Sequence, residues 1–224
     1  MTALVRLLQL ASPALPVGAY SYSQGLESAV ESGTVTDRDS AGRWIGDALT
    51  LSLAKFEAPA WVRFYAAWQV CDFGEVRRLN EWFRATRETA ELRAETLQMG
   101  YSLRRLCLEL GEFDAVSLTA LADLEEVVFP AAFTFAATQW QIPARDGLVA
   151  YLWSWAENQV MAALKAVPLG QTDGQRLLLK LGGDLAAIAD QVLVVDDGLL
   201  ANFAPGLAIA SSRHETQYSR LFRS

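Results

Sequence analysis

Apolar positions recur along the chain in steps of three and four, the period of a helix with one buried face. Over 92–110 the stripe runs Leu92, Thr96, Met99, Leu103, Leu106 and Leu110, with Arg93, Arg104 and Glu109 off it, which predicts a core-facing amphipathic helix. Gly100 inside that stripe costs about 1 kcal/mol relative to alanine, so the position predicts close packing or a slight bend, and Gly111 stops the helix.

Punctuation elsewhere divides the chain into segments of ordinary helix length. Thr36, followed by Asp37 and Asp39, supplies an N-cap and first-turn acids for a helix reaching about Phe56, while Pro59, Pro130 and Asp146 mark new starts. Gly33, Gly74, Gly111 and Gly170 mark ends or turns. The helix over 146–167 buries Val149, Leu152, Trp153, Ala156, Val160, Ala163, Leu164 and Val167, widened by Tyr151 and Trp155, so it is central or lies at an interface. Glu157, Met161 and Lys165 form its second face, and Lys165 reads either as a solvated lysine near the helix C-terminus or as a functional cation.

Only QVLVV at 191–195 has the β-branched density of a strand, and with no partner run it reads as the end of a helix beginning near Thr172. No repeat or linker divides the chain. The pattern predicts one all-α domain over 1–224, about ten helices with a partly ordered tail at 203–224.

Composition changes this picture in two ways. Of 224 residues 52% are apolar and only 20% charged, which is rich for a monomer and points to surface covered by another chain. The net charge of −7 argues against a nucleic-acid footprint, although arginines such as Arg104 and Arg105 offer local anion contacts. No apolar run approaches the roughly 18 residues of a membrane span, and Arg6 and Gln9 interrupt the apolar start in a way a signal peptide would not. Cys71 and Cys107, without metal or redox spacing, read as core thiols of a cytoplasmic protein.

The search for chemistry yields little. The stretch ASPALPVGAYSYSQGLE, residues 11–27, has glycines, but Gly18 and Gly25 lead into Ala19 and Leu26 without the Lys-Ser/Thr that a phosphate loop needs. His214 is the sole histidine, so a serine nucleophile would have to find its base across the fold, and a metal site would need ligands from elsewhere. The neighbours Glu125 and Glu126, and Asp196 and Asp197, diverge on a helix and read as solvated acids. In SSRHETQYSRLFRS, Tyr218, Leu221 and Phe222 share one helical face and Arg213, Gln217 and Arg220 another. A helix so short is not stable alone in water, so the segment packs on its own domain or docks in a partner groove.

Three blocks together resemble the urease accessory protein UreF family. The first holds Ser12, Pro16, Gly18, Tyr20, Ser23, Gly25, Leu26 and Glu27. The second is Lys165, Val167, Pro168, Leu169, Gly170 and Gln171, then Gly174, Gln175 and Arg176. The third is Arg213, His214, Glu215, Gln217, Tyr218, Ser219, Arg220, Leu221 and Phe222. The resemblance implies an all-α, often dimeric protein without catalysis of its own. It would join UreD (also called UreH) and the GTPase UreG on urease apoprotein, where a lysine is carbamylated and nickel enters; nickel, carbon dioxide and GTP would be handled by the complex. On that resemblance residues 11–27 are a corner and docking surface carrying Tyr20 and Tyr22, the tail docks on UreD, and Lys165 with its following turn faces UreG. Two other readings stand beside it, a small hydrolase using His214 and a nickel chaperone.

Overall fold

The structure is a computed structural model that describes residues 2–195 and 200–224. The described residues form helices joined by short turns, with no strand among them. Asp196 and Asp197 lie outside the described residues.

Helix α1 (Ala3–Leu10) leads into a corner containing a single 3-10 turn (Ala19–Ser21), and α2 (Leu26–Glu31) follows. Helix α3 (Arg38–Ala48), a π-helical stretch (Leu49–Glu57) and α4 (Ala58–Gln69) then run without a break. The cap of α3 is Asp37 rather than Thr36: Ser40 N–H donates to Asp37 Oδ1 at 2.8 Å, and Asp37 N–H donates back to Ser40 Oγ at 3.0 Å.

The stop expected near Phe56 does not occur. Proline in an α-helix removes one N–H and crowds the carbonyl four residues earlier. The wider π turns ahead of Pro59 absorb that conflict. Lys55, whose carbonyl is the one concerned, accepts instead from Ala201 N–H at 3.2 Å.

Helices α5 (Phe73–Ala85), α6 (Ala90–Leu110), α7 (Ala115–Ala122), α8 (Phe129–Gln139), α9 (Ala144–Ala166), α10 (Gln171–Val192) and α11 (Pro205–His214) complete the order. Thr89 Oγ1 caps α6, accepting from Leu92 N–H at 3.1 Å, and Gly111 ends it with φ +62°. A Cβ on Gly100 would sit 2.1 Å from the Val127 carbonyl oxygen, so this glycine serves close packing, with the start of α8 crossing directly over α6. Gly74 lies inside the first turn of α5 instead of ending an element. Of the run 191–195, Gln191 and Val192 end α10 and Leu193 and Val194 form the turn after it, with no strand in the run.

The core gathers on α8, buried from Phe129 through Ala137, and on α9, which has no exposed residue between Gly147 and Val160. Phe133 meets Tyr151 edge-on at 5.1 Å, and Trp61 on α4 lies 6.4 Å from Phe133 and 6.5 Å from Tyr151, so α4, α8 and α9 meet through aromatic rings. Of the two thiols only Cys107 is a core group, and burial pushes it up to about 12. Cys71 is exposed in a left-handed turn between α4 and α5, where φ is +56°. Arg105 pairs with Glu109 at 2.7 Å and Arg104 donates to the Leu124 carbonyl, so both are engaged within the fold.

Candidate partner-docking site

The corner after α1 is built by backbone that glycine permits. Gly18 adopts φ +77° in open space, whereas Gly25 adopts φ +79° against α11, where a Cβ would lie 3.0 Å from Ser211 N and 3.1 Å from Ala210 Cβ. Gly25 therefore lets α11 approach α2. The corner is pinned to α9 on its other side: Asn158 Nδ2 donates to the Tyr22 carbonyl at 3.1 Å and Trp155 Nε1 donates to Gln24 Oε1 at 2.8 Å.

The tail does not form the helical face predicted for it. Helix α11 ends at His214, and the residues after it run irregularly back over the body. The reason lies in Glu27, whose buried carboxylate accepts from the backbone N–H groups of Leu221 at 2.7 Å and Phe222 at 3.0 Å, taking donors a helix would have used. Tyr218 and Leu221 consequently point outward, fully exposed and 70% exposed, while Phe222 turns inward at 6%.

His214 is fully buried between two acids. Its Nε2 lies 3.1 Å from Glu27 Oε2 and its Nδ1 lies 2.8 Å from Glu91 Oε2. Arg220 donates to Glu91 Oε1 at 2.9 Å, Thr89 and Ser211 share a hydroxyl contact at 2.8 Å, and Glu215 accepts from Ala90 N–H at 3.0 Å at the start of α6. Gln217 Nε2 folds back onto the Ser219 carbonyl at 2.9 Å. Both ring nitrogens of His214 face carboxylates, which leaves neither to take a proton from a serine.

The three sequence blocks meet at Lys165. Its Nζ sits 5.9 Å from the Tyr20 ring and 5.5 Å from the buried Phe222 ring, joining the corner, α9 and the tail at one place. Tyr20 is 66% exposed there, but Tyr22 is buried at 5%, so only one of the two tyrosines offers area to a partner. Pro16, Pro168, Gly170, Gln171, Gln175, Arg176 and Arg213 are also exposed. Gln175 lines a separate groove between α1, α9 and α10, and Arg176 pairs with Asp173 at 3.3 Å, so the middle block divides between two places.

Beneath the corner lies a cavity of about 180 Å³, walled by Leu10, Leu15, Val17, Met99, Phe129 and Trp155. Glu57, Arg87, Glu95 and Tyr151 are among its polar lining. Arg87 donates to Glu57 at 2.6 Å while stacking 4.2 Å over Phe83, and Tyr151 donates to the same carboxylate. Glu95 accepts from Gln24 Nε2 at 2.8 Å and Ser224 Oγ at 3.3 Å, and burial pushes its carboxyl up to about 7, with the charge of Glu57 adding to the effect. Burial likewise raises the Tyr151 hydroxyl well above its ordinary range.

Glu91 and Glu95 escape a reading of the three blocks alone. They left one signal, two acids four apart flanking the apolar stripe of α6, on the side where a helix meets the core.

The family model for UreF matches residues 35–182. The chain is 60% identical over 223 residues to the urease accessory protein UreF of Azoarcus sp. (strain BH72), covering 99% of this chain and 95% of that protein. It is 54% identical to the urease accessory protein UreF of Dechloromonas aromatica (strain RCB) and 52% identical to that of Methylobacillus flagellatus, each over 99% of this chain and 97% of the relative. These relatives span the corner and the tail, both of which extend beyond the family model's match.

Proposed function

The chain belongs to the urease accessory protein UreF family, and from that premise we propose that it is a non-enzymatic bridge in urease maturation. In this reading it joins UreD and the GTPase UreG on urease apoprotein in the cytoplasm, supporting lysine carbamylation and GTP-dependent nickel entry. Nickel is cargo of the assembly, and carbon dioxide and GTP are bound by its other members.

The observation that carries the reading is the convergence of three distant blocks at Lys165, with Tyr20 exposed beside it and the inward-turned Phe222 beneath. A bridge needs two partners held side by side. The outward side of the tail, with Tyr218 and Leu221 exposed, supplies an apolar face for UreD. Next to it, Lys165 and the exposed turn through Pro168, Gly170 and Gln171 face UreG, where a cation suits acidic or phosphate groups. From that position the chain activates or gates the GTPase.

The groove of α1, α9 and α10 supports a homodimer. It is lined by Leu8, Val149, Trp153 and Leu179, and Leu4, Leu8 and Leu179 are 62%, 62% and 78% exposed. Projecting leucines beside their own groove suit a two-fold pairing, in which one patch serves both copies. The apolar excess of the composition favours the same arrangement.

The test is nickel loading of urease in cells from which the gene is deleted. Apoprotein that stays empty until the chain is resupplied supports the reading; full loading without the chain contradicts it.

A further inference from the structure

Ser224 is fully enclosed, and the way it is held differs from the rest of the tail. Its main-chain oxygen accepts from Ser23 N–H at 2.6 Å and Ser23 Oγ–H at 2.5 Å, and its hydroxyl donates to Glu95. Arg223 N–H donates to the Ser21 carbonyl at 2.7 Å beside it. The tail thus closes on three buried acids, Glu27, Glu91 and Glu95.

Two of those acids have compensation that the third lacks. Glu91 lies against His214 and Arg220, and Glu27 receives His214 with two backbone donors. Glu95 has one neutral donor on each oxygen, the Gln24 amide and the Ser224 hydroxyl. A buried carboxylate without a cation against it is disfavoured, and taking up a proton removes the conflict.

We propose that residues 215–224 are a proton-responsive latch, closed on the body while Glu95 is a neutral carboxyl and opening as that carboxyl ionises. Opening lets water reach Glu95 and uncovers Glu27 and Glu91 with it. Burial holds Glu95 up to about 7, against an ordinary value of 4.5. The latch therefore responds near neutrality.

The groups that face Glu95 support this direction. Glu57, from the π-helical stretch, opposes its ionisation, and Arg87 favours it from the turn before α6. Arg87 is already committed to Glu57. Burial holds the hydroxyls of Tyr151 on α9 and Tyr22 in the corner above their ordinary range, a charge on Glu95 is a lesser cause at both, and Arg223 opposes the shift at Tyr22. Glu157 and Lys165 line the same cavity, and one turn back on α6 Glu91 is occupied by His214 and Arg220. In the docking reading above, closure fixes Phe222 inward and sets which tail residues a partner meets; the latch itself depends only on the chain alone.

Hydrogen exchange of the Leu221, Phe222 and Arg223 amides in the full chain, with the intrinsic pH dependence of exchange divided out, measures closure without any partner. If opening returns Glu95 to its ordinary value, protection falls about tenfold between pH 6 and pH 8, and Glu95→Gln stays protected at both. Unchanged protection in the parent chain, or an equal fall in the variant, overturns the latch. Should the variant fail to fold, a carbon-13 titration of the Glu95 carboxyl in the parent chain decides: a midpoint near 7 supports the latch and one near 4.5 overturns it.

Discussion

The His214 ring nitrogen Nε2 lies 3.1 Å from Glu27 Oε2, joining the tail to the first turn of α2 across 187 positions of sequence. A histidine isolated in the sequence is instead a buried link between the end of α11, α2 and α6. Removing it leaves Glu27 and Glu91 buried without their shared partner. His214→Ala should therefore cost about 3 kcal/mol, the scale of leaving buried polar groups without a hydrogen-bond partner together with the cavity that the lost ring opens. Urea unfolding checks this, with a lower midpoint expected.

Stability should also depend on pH through Glu95. Its folded value of about 7 stands above its ordinary value of 4.5, so the folded chain binds the extra proton between them. The contribution is full below the ordinary value and is lost as pH rises through the folded one. The whole effect is about 3 kcal/mol. Glu95→Gln should flatten the pH profile and leave the protein more stable than its parent at pH 8, as read by denaturation at several pH values.

Gly25 and Gly18 share a left-handed backbone but differ in surroundings, so alanine distinguishes conformation from contact. Gly18→Ala should cost about 1 kcal/mol, the backbone term alone. Gly25→Ala should cost about 2 kcal/mol or more, because its Cβ also presses on α11. Equal losses in thermal unfolding would show that α11 yields.

The proposed dimer rests on leucines that pack little within the chain. Leu179→Arg, at a position 78% exposed, should leave folding intact and halve the mass measured by light scattering. A parent chain that is already monomeric would remove this part of the account.

Helices were legible wherever the periodic stripe was long, as in α6 and α9, because burial of one face decides both the sequence and the fold. Gly100 was legible for the same reason, since a costly glycine in a strong helix needs a contact to justify it. Pro59 lies in the first turn of α4 as read, but no break precedes it, because a π-helical stretch relieves the clash that ordinarily ends a helix and nothing local announces that relief. Tyr218, Leu221 and Phe222 misled because Glu27, far away in sequence, captured the backbone donors on which a helical phase depends. The three blocks were visible as motifs, yet their meeting at Lys165 is a property of the packed α9 that no single block contains.

The most direct test of the bridging claim is light scattering after gel filtration of the chain with UreD, comparing the parent with the double variant Tyr218→Ala, Leu221→Asp. Both side chains point outward, so the variant keeps the Glu27 and His214 fastening that a truncation would destroy. The account predicts a stable complex for the parent and its loss for a variant that remains folded. An undiminished complex with the variant would contradict the assignment of the tail's outer face to UreD.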